Sequence, residues 1–335
     1  ASDVYKRQAF FVMRALNSLA AVRTMENYFR WIMNIVASSD GEHIQPVFGI
    51  GLEHDMEERF ASALPGYRGM GPVRIGNQAH EHLQHDTYGN LILGAAQAFF
   101  DRRLFINVGR EHFDKFEAIG ERALRLYDKP DAGIWELRTR ARIHTSSSLM
   151  CWAACDRLAK IAGHLQLADR AKYWRGHAEQ IRQMILKRAW SEKRNAFVES
   201  FEGEHLDASV LLMSEVGFID PSDPRFVSTV EQLEATLARG PYMLRYEAAD
   251  DFGLPTSAFN VCAFWRVDAL ARIGRKDQAC EIFEALLATR NPLGLMSEDS
   301  DPETGAAWGN FPQTYSMVGI INGAVRLSEP WDSVI

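Results

Sequence analysis

Read for spacing, the apolar residues recur every three or four positions over most of the chain, which predicts helices arranged in pairs with long loops between pairs. In each pair the first helix is apolar nearly all round and the second is amphipathic. The pairs are 9–20 with 22–38, 78–102 with 110–127, 145–163 with 168–190, 207–216 with 224–237, and 258–273 with 276–289; 313–327 is unpaired. Six apolar and five amphipathic helices are the composition of an inner and an outer ring, an all-α (α/α)6 toroid lacking one outer helix. Strand character is confined to residues 196–205, where Glu202-Gly203 predicts the turn of a small hairpin insertion. Residues 9–335 thus read as one toroidal domain. Residues 1–8, ASDVYKRQ, run into the first helix without a cap and read as foreign to it, so the sixth outer helix is expected upstream.

Composition narrows the partners. A chain of 335 residues that is 47% hydrophobic can bury a large core, and a formal charge of −7 without any Lys/Arg run disfavours nucleic acid and anionic membranes. No stretch approaches the length of a membrane span. Cys151, Cys155, Cys262 and Cys280 lie inside apolar helical patterns, which predicts buried free thiols in a reducing compartment, hence a cytoplasmic protein. A neutral or polar small substrate suits this balance. The sequence does not predict an oligomeric state.

Unusual residues collect in the loops that follow the amphipathic helices, as expected if those loops line one mouth of the toroid. They carry Tyr67-Arg68 in a glycine-rich run, Trp135-Glu136, Arg245-Tyr246, Ser297-Glu298-Asp299 and Trp308. Aromatic rings, carboxylates and arginines on one rim suit a sugar pocket. A carboxylate beside a tryptophan loses solvent and its pKa should rise, which fits Glu136 for proton donation; the plain alternative is a loop acid bridging Arg138 or Arg140. Glycoside hydrolysis needs two carboxyl groups, and Glu136 and Glu298 supply them. His80-Glu81-His82-Leu83-Gln84-His85 departs from the zinc-protease pattern, which wants histidine where Gln84 stands, although His82 and His85 would share a helix face. No phosphate loop and no acyl-transfer elbow appear.

The segments GYRGMGPVRIGN, QHDTYGN, IWELR, SLMCWAACDRLAKIA and LMSEDSDPETG with WGNFPQTYSMVGIING resemble glycoside hydrolase family 15, the glucoamylase, glucodextranase and bacterial trehalase family. The resemblance extends from about residue 9 to the end, in order. It implies an (α/α)6 toroid and single-displacement inversion without a cofactor, releasing β-glucose from non-reducing ends. Matched by motif, Glu136 is implied as general acid and Glu298 as general base, Trp135 as a sugar-stacking wall, and Arg245 as the group holding the terminal glucose. Gln84, Asp86 and Tyr88 are implied to shape the pocket, with Tyr67, Arg68, Tyr246 and Trp308 completing the candidate substrate-binding set.

Departures qualify the match. The family's Trp-x-Arg-Asp ahead of the first inner helix is replaced by Lys6-Arg7-Gln8, and its N-terminal β-rich domain is expected to be missing from these 335 residues. Ser148, Met317 and Pro255-Thr256-Ser257 also differ from the common bacterial pattern, the last beside the site. The leading expectation is a glucoamylase-like exo-hydrolase of α-glucans or oligosaccharides, with a trehalase of the same family as the alternative. A non-catalytic sugar-binding remnant and a toroid epimerase using His82, His85 or His144 are the readings from other classes.

Overall fold

The computed structural model describes residues 3–38, 43–251 and 253–329. Among the described residues eleven helices are formed: α1 (Lys6–Ser18), α2 (Val22–Ser38), α3 (Asp86–Phe100), α4 (Arg110–Leu126), α5 (Thr145–His164), α6 (Ala168–Arg188), α7 (Leu212–Glu215), α8 (Pro224–Leu237), α9 (Asn260–Arg272), α10 (Lys276–Leu287) and α11 (Thr314–Leu327). The apolar members touch in sequence: α1 packs on α3, α3 on α5, α5 on the short turn Ala208–Leu211 ahead of α7, α7 on α9, and α9 on α11. Contact between α11 and α1 closes the ring, with the Phe11 and Tyr315 rings 5.2 Å apart at the junction. The amphipathic helices α2, α4, α6, α8 and α10 lean on its outside. This is the expected (α/α)6 toroid. No helix among the described residues is long and apolar enough to cross a membrane.

Burial follows the division into two rings. The first eleven residues of α5, from Thr145 to Cys155, are all buried, whereas α4 and α6 bury one stripe each. Hydroxyls let the inner helix accept burial without orphaned polar groups: Ser148 Oγ donates to the Tyr127 carbonyl at 2.6 Å and Thr145 Oγ1 to the Val198 carbonyl at 2.7 Å. Close approach of α3 and α5 depends on Gly89, where an added Cβ would lie 2.1 Å from the Met150 carbonyl oxygen. Cys151, Cys155 and Cys262 are buried free thiols, as the sequence predicts, while Cys280 is only partly buried.

Three expectations need correction. The helix predicted over 78–102 is interrupted: a 3-10 turn, Gln78–Glu81, ends at His82 in extended conformation, and α3 begins at Asp86. The backbone between them is committed elsewhere, because Leu83 O accepts from Ala132 N at 3.0 Å and His85 N donates to Asp131 at 2.7 Å. His82 and His85 therefore do not share a helix face. Strand structure is not confined to 196–205 either. Two- and three-residue ladders, too short for alternation to show, pair Asp3–Tyr5 with Val47–Gly49, Arg59–Ala61 with Val73–Ile75, and Ala238–Arg239 with Tyr242–Met243. A three-stranded ladder joins Ala258–Phe259, Asp299–Ser300 and Ala307–Trp308. The hairpin itself pairs Trp190–Ser191 with Ala196–Phe197, so its turn lies at 192–195, ahead of Glu202-Gly203. Of the segment read as foreign, Ala1 and Ser2 lie outside the described residues, Asp3–Tyr5 form a strand, and Lys6 to Gln8 open α1.

The loop between α4 and α5, which carries Trp135-Glu136, is pinned by a buried carboxylate. Asp131 Oδ2 accepts from His85 N and from Ser147 Oγ, both at 2.7 Å, and Oδ1 accepts from Gly133 N at 3.2 Å. Its backbone exchanges hydrogen bonds with Arg142 across the loop at 3.0 and 3.2 Å. One side chain thereby ties the loop to the entry of α3 and the first turn of α5. Burial pushes its carboxyl up to about 7, with neighbouring Asp86 acting in the same direction against the three donors.

Two measurements test this packing. Gly89→Ala should lower the unfolding free energy by about 1–3 kcal/mol through the clash with α5, while Gly176→Ala, with nothing near its Cβ on α6, should raise it by roughly 0.5–1 kcal/mol. Thermal or urea melts would separate the two signs. For Asp131, the folded protein keeps a proton that the unfolded chain releases near pH 4, so this group stabilises fully below about pH 4 and the contribution is lost as pH rises through about 7. The fall in melting temperature between pH 5 and pH 8 should therefore be smaller in Asp131→Asn than in the parent. His85 and His144, lowered by burial, act with the opposite sign in both proteins and cancel in the comparison.

Candidate active site

Trp135 and Glu136 sit in a tight loop built on left-handed backbone. Gly133 has φ 67° and an added Cβ there would lie 2.6 Å from the His144 ring; Glu136 itself has φ 60°. Hydrogen bonds from Glu136 N to Gly133 O (3.2 Å) and Leu137 N to Ala132 O (3.0 Å) hold the conformation. A non-glycine residue in this region is strained, and such strain collects at functional positions. Of the two arginines nearest in sequence, Arg138 Nη2 is 3.1 Å from Glu58, and Arg140 Nη1 donates to the Ala249 carbonyl at 2.7 Å.

Trp135 is fixed at both ends. Its indole Nε1 donates to Asp207 Oδ2 at 2.7 Å, and its ring packs against Tyr246, Phe259 and Trp265 at centroid distances of 5.8, 5.9 and 6.2 Å. Asp207 is buried beneath it, also accepting from Ser209 N at 2.8 Å, and burial pushes its carboxyl up to about 6.

Glu298 lies one residue before the central strand of the three-stranded ladder. Its carboxylate takes three N–H donors: Asn310 N and Nδ2 reach Oε2 at 3.0 Å each, and Gln313 Nε2 reaches Oε1 at 3.3 Å. Gly309, at φ 71°, makes this possible, because a Cβ there would lie 2.8 Å from Oε2. Its neighbour Asp299, the rival carboxylate, is spoken for. Arg245 Nη2 lies 2.9 Å from Asp299 Oδ1 and 3.1 Å from Oδ2. Burial pushes Asp299 up to about 6, Arg245 pulls it down and Glu298 pushes it up.

Arg245 joins the two halves. Its guanidinium lies 4.4 Å from the Phe259 ring centroid and 6.0 Å from that of Trp135, while it grips Asp299. Burial opposes its charge, yet Asp299 and then Cys262 and Glu298 raise its pKa overall. The residues next to Glu136 and Glu298 thus meet at one side chain. Tyr246 donates a hydrogen bond to Asp250, which with burial raises its phenol pKa.

The other sequence-predicted residues divide. Tyr67, Arg68 and Trp308 form a cluster on the rim, with Tyr67 edge-on to Trp308 at 5.6 Å and Arg68 over both rings. Gln84 and Asp86 are buried at the entry of α3, where Asp86 Oδ2 accepts from Asn90 at 3.2 Å and sits beside Asp131. Tyr88 is buried and faces Arg122 of α4, so it belongs to the interface between the rings. Among the described residues no group of three His, Cys, Asp or Glu side chains is arranged to hold a metal ion. Sequence reasoning missed Asp131, Asp207, Gly309, Asn310 and Gln313. The last three lie inside the WGNFPQ run already singled out, whereas Asp131 and Asp207 read as ordinary turn and capping residues.

Comparison with known proteins agrees with this architecture. Residues 4–325 match the family described as Glycosyl hydrolases family 15. A trehalase of Mycobacterium tuberculosis is 32% identical over 96% of this chain and 47% of its own length, and one of Thermoplasma volcanium is 31% identical over 96% and 51%. The chain therefore spans about half the length of the curated relatives it matches. Among solved structures, the family 15 glucoamylase from Hypocrea jecorina superposes with a TM-score of 0.72 at 12% identity, over 97% of this chain and 64% of that one. With the toroid, the rim loops and the family match in agreement, the chain belongs to glycosyl hydrolase family 15.

Proposed function

We propose that this chain is the toroidal part of an inverting α-glucoside hydrolase that cleaves trehalose, with Glu136 as general acid and Glu298 as general base. The observation that carries the substrate is the match along 96% of the chain to proteins named trehalase at 31–32% identity. The α-glucan favoured by the sequence reading rested on glucoamylase kinship, and the glucoamylase structure, at 12% identity, bears on the fold alone. Trehalose also suits a chain of net charge −7, being neutral and rich in hydroxyls.

The chemistry is a single displacement. Glu136 gives its proton to the glycosidic oxygen as the bond to the anomeric carbon breaks; Glu298 takes a proton from a water whose oxygen attacks the same carbon from the opposite face. The oxocarbenium-like transition state is neutralised by the two carboxyl groups. Three donors from Asn310 and Gln313 orient Glu298 toward that water. Arg245, steadied by Asp299, offers its remaining N–H groups to the hydroxyls of the inner glucose, against the Trp135 ring. No step requires a metal or an organic cofactor.

Stereochemistry provides the test. Inversion of trehalose yields one β-glucose from the attacked half and one α-glucose from the leaving half, so early proton NMR spectra should show the anomers in equal amounts. Retention would give α-glucose alone. Glu136→Gln and Glu298→Gln should each lower kcat at least about 100-fold with the fold intact by circular dichroism; full activity in either variant removes that residue from its role. Gly309→Ala should lower kcat about tenfold or more by displacing the Glu298 carboxylate, since misplacement by an ångström costs that much.

A further inference from the structure

One arginine on the rim is built into an unusual position and has no polar protein partner among the described residues. Arg68 occupies left-handed backbone at φ 52° inside the turn Tyr67–Gly69, flanked by Gly66 at φ 76° and Gly69 at φ 75°. Hydrogen bonds from Gly69 N to Gly66 O (3.3 Å) and Met70 N to Tyr67 O (3.0 Å) close the turn. Its guanidinium lies 5.2 Å from the Tyr67 ring centroid and 5.0 Å from that of Trp308, which is cation–π distance to both. Among the described residues it has no carboxylate or carbonyl acceptor. Other rim arginines are committed: Arg74 and Arg138 to Glu58, Arg142 to Glu199, Arg245 to Asp299. Two rings hold Arg68 and leave its donors unspent.

Its surroundings locate it relative to the chemistry. Trp308 pairs with Asp299 in the ladder, one residue from Glu298, and Asn310, two residues on, holds the Glu298 carboxylate. Depth separates it from the inner glucose. Arg245 and Asp299 side chains are 22% and 13% exposed, whereas Tyr67 is 57% exposed, so the stack lies toward the mouth. A guanidinium with free N–H groups between aromatic faces is suited to bind vicinal hydroxyls of a pyranose stacked on a ring.

We propose that Tyr67, Arg68 and Trp308 form the wall that receives the outer, leaving glucose of a disaccharide, with Arg68 binding its hydroxyls. This rests on the trehalose-hydrolysing reading above. The rings supply the stacking surface, and the guanidinium supplies the contact that a substrate without a second sugar does not make.

α-Glucosyl fluoride, which is attacked at the same carbon but has no second sugar, isolates the effect. Arg68→Gly suits the left-handed backbone, so the variant should melt no lower than the parent. Its KM for trehalose should rise about tenfold, the cost of one or two lost hydrogen bonds, with kcat/KM for α-glucosyl fluoride unchanged. An unchanged KM for trehalose would overturn the proposal, as would an equal loss on both substrates, which would place Arg68 at the inner glucose or in the scaffold. A parent protein that hydrolyses the fluoride and not trehalose would overturn the trehalose reading itself, and is told apart because the variant plays no part in it.

Discussion

The candidate site depends on one buried ion pair. Arg245 and Asp299 lie largely out of water, where neither charge would be tolerated alone, and their 2.9 Å contact is what allows both to be there. The consequence reaches beyond the pair. Asp299 is the middle residue of the ladder that aligns Phe259 and Trp308, and the same guanidinium packs over the Phe259 and Trp135 rings. Three separate loops are thereby fixed relative to one another by a group of only a few atoms. Removing either partner would strand a buried charge and loosen every loop that meets there.

Around that pair, the rim consists of long loops made rigid by carboxylates. Asp131 clamps the loop bearing Glu136, Asp207 holds the Trp135 indole, and Asp251 accepts from the backbone of Arg138 and Thr139. Each is an acceptor facing N–H or O–H donors that a loop would otherwise offer to water. Asp131 and Asp207 are buried deeply enough for their carboxyl groups to be pushed up to about 7 and about 6, so part of their work is done as hydrogen-bonding groups with charge near its limit of tolerance. Precision in this site comes from loops, and the loops have it because acids, Asp131 and Asp207 among them buried, accept from their backbone and side-chain donors.

Legibility in the sequence follows the size of the signal. Helices of twelve or more residues repeat their pattern several times, and the division into an apolar and an amphipathic ring was readable to within a few residues for nine of the eleven described; α3 begins eight residues after its expected start, and the short α7 was readable only with the 3-10 turn before it. The break between Gln78–Glu81 and α3 was not, because what stops the helix is His85 N bonding to Asp131, a residue 46 positions away. Two-residue ladders were likewise invisible, since alternation needs four or more residues to show. For the candidate site, glutamates beside aromatic and glycine residues were conspicuous. Their supports were not: Gly309 matters because Glu298 passes within 2.8 Å of where its Cβ would be, and Asp207 because an indole lies above it, facts of three-dimensional proximity alone.

On the proposed reading, two kinds of arginine on the rim divide the labour of recognition. Arg245 is deep, paired and electrostatically coupled to both Asp299 and Glu298, so its position is dictated by charge and it is suited to a sugar unit that every substrate presents identically. Arg68 is outward, held by rings through weak contacts and strained in its backbone, so its position is set by the shape of one surface turn. The first could hardly change without unfolding the rim, whereas the second could change with little structural cost. On the proposed reading, a toroid organised this way keeps the inner glucose and the hydrolytic pair constant while the turn at Tyr67–Gly69 adjusts what lies beyond the scissile bond.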